Sequence, residues 1–95
     1  MNKEQYLLIQ LMEECAEVQQ ACAKALRFGL DEGYPGTVRT NKSDILKEIA
    51  DLTGVIRVLE YAGIINGEDV SENAIASKER VVYKYMQISK SLGIL

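Results

Sequence analysis

Residues 43–62, SDILKEIADLTGVIRVLEYA, carry two acids in the part of the pattern that a soluble helix keeps apolar. A helix turns about 100° per residue. With Ile45 set at 0°, Val58, Ala62, Val55, Leu59, Leu52, Ile56 and Ile49 fill one continuous arc from about 220° round to about 40°. Glu48 falls at about 300° and Asp51 at about 240°, both inside that arc. Lys47, Arg57 and Glu60 fall outside it. A carboxylate taken out of water without a partner is costly, or shifts its pKa until it is neutral. This pair therefore requires a basic side chain, a shared proton or a metal ion.

The neighbouring segments are also helical. Residues 3–28 open with Asn2 as N-cap and Gln5 three positions on, and Gly29 ends them. The second helix spans 43–62, capped by Asn41 or Ser43 and stopped by Gly63. A third runs from Asp69 or Ser71 to Leu92, with a possible break at 76–79. The intervening 29–42, GLDEGYPGTVRTNK, is a Gly/Pro loop with room for a short turn. Loops of this length inside compact domains are often functional. No strand-like alternation competes. The expected fold is all-α, an antiparallel bundle of three to four helices in a single domain spanning 1–95. Gly54 interrupts the second helix and is either tolerated or a point of close helix packing.

A second acidic group lies on the first helix, in EECAE: Glu13, Glu14 and Glu17. With Leu8 at 0° they fall near 140°, 240° and 180°. Glu13–Glu17 and Glu14–Glu17 are like-charge pairs that weaken an isolated helix. No lysine stands four residues after any of the three. A solvated acidic strip is the plain alternative. Two acidic i,i+3 pairs on consecutive antiparallel helices can instead converge, and a hard divalent cation then relieves the repulsion. With no histidine in the chain, an all-oxygen donor set favours Mg²⁺, with Mn²⁺ or Ca²⁺ as substitutes.

Composition narrows the rest. A net charge of −3 with no basic face in sequence order argues against nucleic-acid binding. Cys15 and Cys22 would sit about 10 Å apart along one helix face, beyond disulfide reach, and read as reduced core residues. The start, MNKEQYLLIQ, has no signal-peptide pattern, and no apolar run approaches a membrane span. A cytoplasmic location is expected. The first helix is apolar around more of its circumference than one small chain can cover, which points to a subunit interface.

The paired motif, Glu-Glu-x-x-Glu at 13–17 followed by Glu-x-x-Asp at 48–51, resembles the all-α nucleoside triphosphate pyrophosphohydrolases. That superfamily includes MazG-like proteins, dimeric dUTPases, dCTP pyrophosphatases and phosphoribosyl-ATP pyrophosphohydrolases. The resemblance covers about half the chain, and its size is closest to the small MazG-like proteins. It implies Mg²⁺-dependent hydrolysis between the α- and β-phosphates, giving a monophosphate and pyrophosphate. It implies Glu14, Glu17, Glu48 and Asp51 as metal ligands and Glu13 as their support, orienting water or binding a second ion. By a looser match it implies Lys78, Arg80 and Lys84 as phosphate contacts, with Asn73 beside them. Lys24, Arg27, Arg39 and Lys42 are further cations within reach of the motif in sequence. Tyr34 and Phe28 could stack on a base or simply pack. The resemblance also implies a homodimer or homotetramer. Two other readings stay open: an inactive helical oligomerisation or regulatory module, and a pyrophosphohydrolase of another substrate such as phosphoribosyl-ATP.

Overall fold

The computed structural model describes residues 1–95 and contains three α-helices and no strand. Helix α1 spans Lys3–Phe28, α2 spans Asn41–Tyr61, a 3₁₀ turn covers Gly67–Asp69, and α3 spans Glu72–Ser91. No helix is long and apolar enough to cross a membrane. The chain divides into two compact units, Met1–Ile65 and Asn66–Leu95.

The helix ends follow their side chains. At α1 the Asn2 side chain accepts from the Gln5 amide and the Gln5 side chain accepts from the Asn2 amide, the reciprocal pair expected from sequence. At α2 the cap is Thr40, one residue ahead of Asn41 and three ahead of Ser43, the two caps expected from sequence. Ser43 is instead its reciprocal partner, through Thr40 N–H to Ser43 Oγ at 2.9 Å and Ser43 N–H to Thr40 Oγ1 at 3.1 Å. Asn41 is already helical, and its amide side chain reaches back to the carbonyl of Gly29 at 2.8 Å. Gly63, at φ +72°, stops α2 as expected, with Ile64 N–H bonded back to Leu59 O.

In the first unit α1 and α2 pack together as an antiparallel hairpin. Gly29 meets Asn41 at the loop end, while farther along Glu17 and Glu48 line the same cavity. The inward positions on α1 are Leu7, Leu11, Glu14, Val18, Ala21 and Ala25, with Gln10 at the margin. On α2 the central row is Ile45, Glu48, Leu52, Val55, Leu59 and Ala62. Both rows step alternately by three and four residues, the spacing of a coiled-coil seam. Glu14 and Glu48 occupy seam positions. Only Ala21 and Leu59 are buried outright, at 7% and 0% exposure.

The broad apolar surface expected of α1 resolves into two rows. Leu7, Leu11 and Val18 turn inward, while Leu8, Met12, Cys15, Cys22 and Leu26 are exposed. The cysteines are free thiols on that outer row, not core residues as their apolar setting suggested. They stand one position round from the seam. Gly54 does not mark close packing within the chain, since a Cβ added there would meet nothing within 4 Å.

The loop between the helices is tied down along its length. Tyr34–Thr37 forms a turn, with Thr37 N–H and Oγ1 both donating to Tyr34 O and Gly36 at φ +78°. Asn41 N–H bonds to Glu32 O at 2.7 Å and Lys42 N–H to Leu30 O at 2.9 Å. At Gly33 the chain passes so close to Arg39 that an added Cβ would collide with the Arg39 carbonyl oxygen.

In the second unit Ser71 caps α3 by accepting from the Ala74 amide. The helix continues unbroken through 76–79, where a break was possible. Gly93, at φ +75°, closes it with Ile94 N–H bonded to Ser89 O.

Candidate metal centre

Four carboxylates converge midway along the hairpin. One oxygen from each of Glu14, Glu17, Glu48 and Asp51 can be chosen so that all four lie within 4.8 Å of one another. The i,i+3 spacing on each helix puts both acids of a pair on one side, and the antiparallel packing sets the pairs face to face. On a solvated acidic strip Glu14 would stand exposed beside Glu13 and Glu17. It lies at about 240° on that wheel, within the 220–300° span of the seam residues, and is half-buried there. Glu13 is exposed and outside the four. Asp51 lies at the edge of the α2 arc, with its side chain 40% exposed against 17% for Glu48.

The needs of these acids are met unevenly. Lys47 Nζ stands 2.9 Å from Asp51 Oδ2 and 3.6 Å from Glu48 Oε1. Glu14 Oε2 and Glu48 Oε2 are buried and accept no hydrogen bond. The carboxyl of Glu17 beside it, then desolvation, hold Glu48 above its ordinary carboxylate range, against the pull of Lys47. Lys47 is itself pushed up, chiefly by its bond to Asp51.

Two orphaned oxygens and an all-carboxylate donor set fit a hard divalent cation, which takes oxygen ligands. The donors alone do not choose among Mg²⁺, Mn²⁺ and Ca²⁺.

Beside the acids a cavity of about 330 Å³ opens, lined by Glu17, Glu48, Asp44, Lys24, Arg39 and Lys47, with Gln20 and Ala21. Arg39 grips Asp44 through both Nε and Nη2, the latter at 3.0 Å from Oδ2. Its guanidinium also stacks over the Tyr34 ring, 4.8 Å from the centroid. Of the cations considered from sequence, Lys24 and Arg39 share this cavity with the acids. Lys42 pairs with Asp31 at 3.4 Å, and Arg27 lies over Phe28. Lys78, Arg80, Lys84 and Asn73 are exposed on α3 in the second unit, where Arg80 Nη2 donates to Ser77 Oγ. Lys47 was missed because its wheel position placed it outside the apolar arc. The signal was present in its i,i+4 spacing to Asp51.

No protein-family model, no curated protein and no solved structure matches the chain.

Proposed function

We propose that the chain is a Mg²⁺-dependent, MazG-like nucleoside triphosphate pyrophosphohydrolase. Water cleaves the anhydride bond between the α- and β-phosphates, and the products are a nucleoside monophosphate and pyrophosphate. The observation that carries this reading is the meeting of Glu14, Glu17, Glu48 and Asp51 beside a cavity that also holds Lys24 and Arg39. Carboxylates alone would repel a triphosphate. Carboxylates with free oxygens beside free or movable cations suit a substrate that arrives with its own metal.

Glu14, Glu17, Glu48 and Asp51 would hold the cation, which when bound neutralises phosphate charge and polarises the reacting phosphoryl group. Lys24, which is in no ion pair, meets the phosphates as a point charge, and Arg39 lines the same cavity with its fork held on Asp44. A carboxylate at the edge of the group accepts the proton of the attacking water. Glu13 supports the cluster from the exposed side. The resemblance alone gives Lys78, Arg80 and Lys84, with Asn73, as phosphate contacts. A nucleotide substrate implies the cytoplasm.

The active form is a homodimer or homotetramer. With Leu8, Met12 and Leu26 uncovered at 42%, 69% and 88%, and only two residues buried outright, one chain lacks the burial that a small domain needs. A second copy across the outer row of α1 supplies it.

The test is pyrophosphate release from a panel of canonical and modified ribo- and deoxyribonucleoside triphosphates, with and without Mg²⁺, for the wild type and Glu48→Gln. Mg²⁺-dependent release that is lost in the variant supports the reaction. A folded wild type that releases no pyrophosphate from any nucleotide refutes it.

A further inference from the structure

A second cavity, of about 630 Å³, lies at the loop end of the hairpin. It is lined by Lys24, Phe28, Glu32, Tyr34, Pro35 and Asn41, with the backbone of Gly33. Its volume falls within the roughly 300–1,000 Å³ of small-molecule sites. Two residues tie it to the acidic cavity. Lys24 lines both, and Arg39, in the wall of the first, stacks on Tyr34, in the wall of the second.

Apart from Lys24 and the Tyr34 hydroxyl, the polar side chains of the lining are acceptors. Phe28 and Tyr34 are 62% and 56% exposed, so both rings have free surface. Glu32 is in no ion pair, and a carboxylate only accepts hydrogen bonds. The Asn41 amide nitrogen is committed to the Gly29 carbonyl, which leaves its oxygen free to accept. The loop carrying Glu32 and Tyr34 is held by the Gly33–Arg39 approach and the Asn41–Glu32 backbone bond. The pocket thus combines aromatic faces with fixed acceptors and opens beside a phosphate-type cation, Lys24.

We propose that this cavity is a nucleobase subsite selective for bases that carry an exocyclic amino group, with Tyr34 and Phe28 as the stacking surface and Glu32 and Asn41 Oδ1 as the acceptors. Guanine offers paired N–H donors to a carboxylate, and adenine and cytosine offer an amino group. Uracil and thymine put a carbonyl oxygen where cytosine carries its amino group, and it meets an acceptor, so they offer the carboxylate N3–H alone. The proposal rests on the nucleotide reading of the acidic site for its ligand class.

The experiment is an amide NMR titration of the full chain in EDTA with GMP, AMP, CMP and UMP, run beside pyrophosphate release from the matching triphosphates. The expected shifts fall at Phe28, Glu32, Gly33, Tyr34 and Asn41, with at least one amino-bearing nucleotide about tenfold tighter than UMP. Tyr34→Ala weakens every nucleotide by about tenfold, whereas Tyr34→Trp, which keeps an aromatic face, retains binding. Glu32→Gln weakens the preference and leaves stacking in place. Shifts that map elsewhere, no saturable binding, or a preference indifferent to Glu32→Gln overturn the subsite. If Mg²⁺-dependent release is seen alongside any of those results, the reaction stands without it. Saturable shifts here with no release from any triphosphate keep the subsite and refute the reaction.

Discussion

Asp44 and Glu48 stand one turn apart on α2, with side chains 16% and 17% exposed, and meet opposite surroundings. Asp44 receives the whole fork of Arg39, and its carboxyl is held below the ordinary range, first by that bond. Glu48 faces Glu17, Glu14 and Asp51, touches only the flank of Lys47, and keeps one oxygen with no partner. The same residue class at the same depth is satisfied in one place and frustrated in the next. A fold that can place a guanidinium on Asp44 has the means to satisfy Glu48 as well. Leaving one Glu48 oxygen without a partner is what a ligand site requires, because an incoming cation then replaces repulsion with attraction.

The largest effect should come from breaking the frustrated side. Glu48→Gln is expected to lower pyrophosphate release by on the order of a hundredfold or more. The same change should raise the melting temperature of the metal-free protein, since it removes a repelled charge. Lower stability with intact turnover would reverse the contrast.

Breaking the satisfied side should do the opposite. Arg39→Ala leaves Asp44 half-buried without its partner and frees the loop end, so the metal-free melting temperature should fall. Asp44→Asn should recover part of that loss when added to Arg39→Ala. A double-mutant cycle in thermal denaturation reads the coupling directly.

The two carboxylates should also carry opposite pH signatures. Glu48 has a raised folded-state pKa. Its contribution is full below the unfolded value and is lost as pH rises through the folded one. Asp44 has a depressed folded-state pKa, so its contribution is present above the unfolded value and is lost as pH falls through the folded one. Denaturation midpoints across pH, measured without metal, should lose the upper slope in Glu48→Gln and the acid slope in Asp44→Asn. Equal profiles for both variants would contradict the contrast.

The smallest effect bears on the proposed assembly. Gly54 faces open space within the chain. Gly54→Ala should stabilise α2 by up to about 1 kcal/mol if that face stays open. A loss of the oligomer in light scattering would instead show that a second copy packs against it.

Much of this arrangement was legible from local pattern. The ends of α1 follow from Asn2, Gln5 and Gly29, residues whose chemistry acts within one turn. The anomaly of Glu48 also showed on a wheel, because burial on one helix is a periodic property. What the wheel could not give was the partner. Glu14 was placed with Glu13 and Glu17 on a polar strip, because only the packing of α2 decides which side of α1 becomes the seam. Cys15 and Cys22 were assigned to a core for the same reason. Lys24 and Arg39 come from different segments and meet only after the 29–40 loop folds back, so no spacing rule links them. Lys47 was local and could have been found.

The most direct test of the central claim is the melting temperature of the wild type and of Glu48→Gln, titrated with MgCl₂ against NaCl of equal ionic strength. If the four carboxylates form a cation site, Mg²⁺ stabilises the wild type by about 2.7 kcal/mol at a hundredfold excess over its dissociation constant. The variant should then respond to MgCl₂ no more than to NaCl. An identical response to the two salts in the wild type would contradict the claim and leave the cluster as a repulsion the fold merely tolerates.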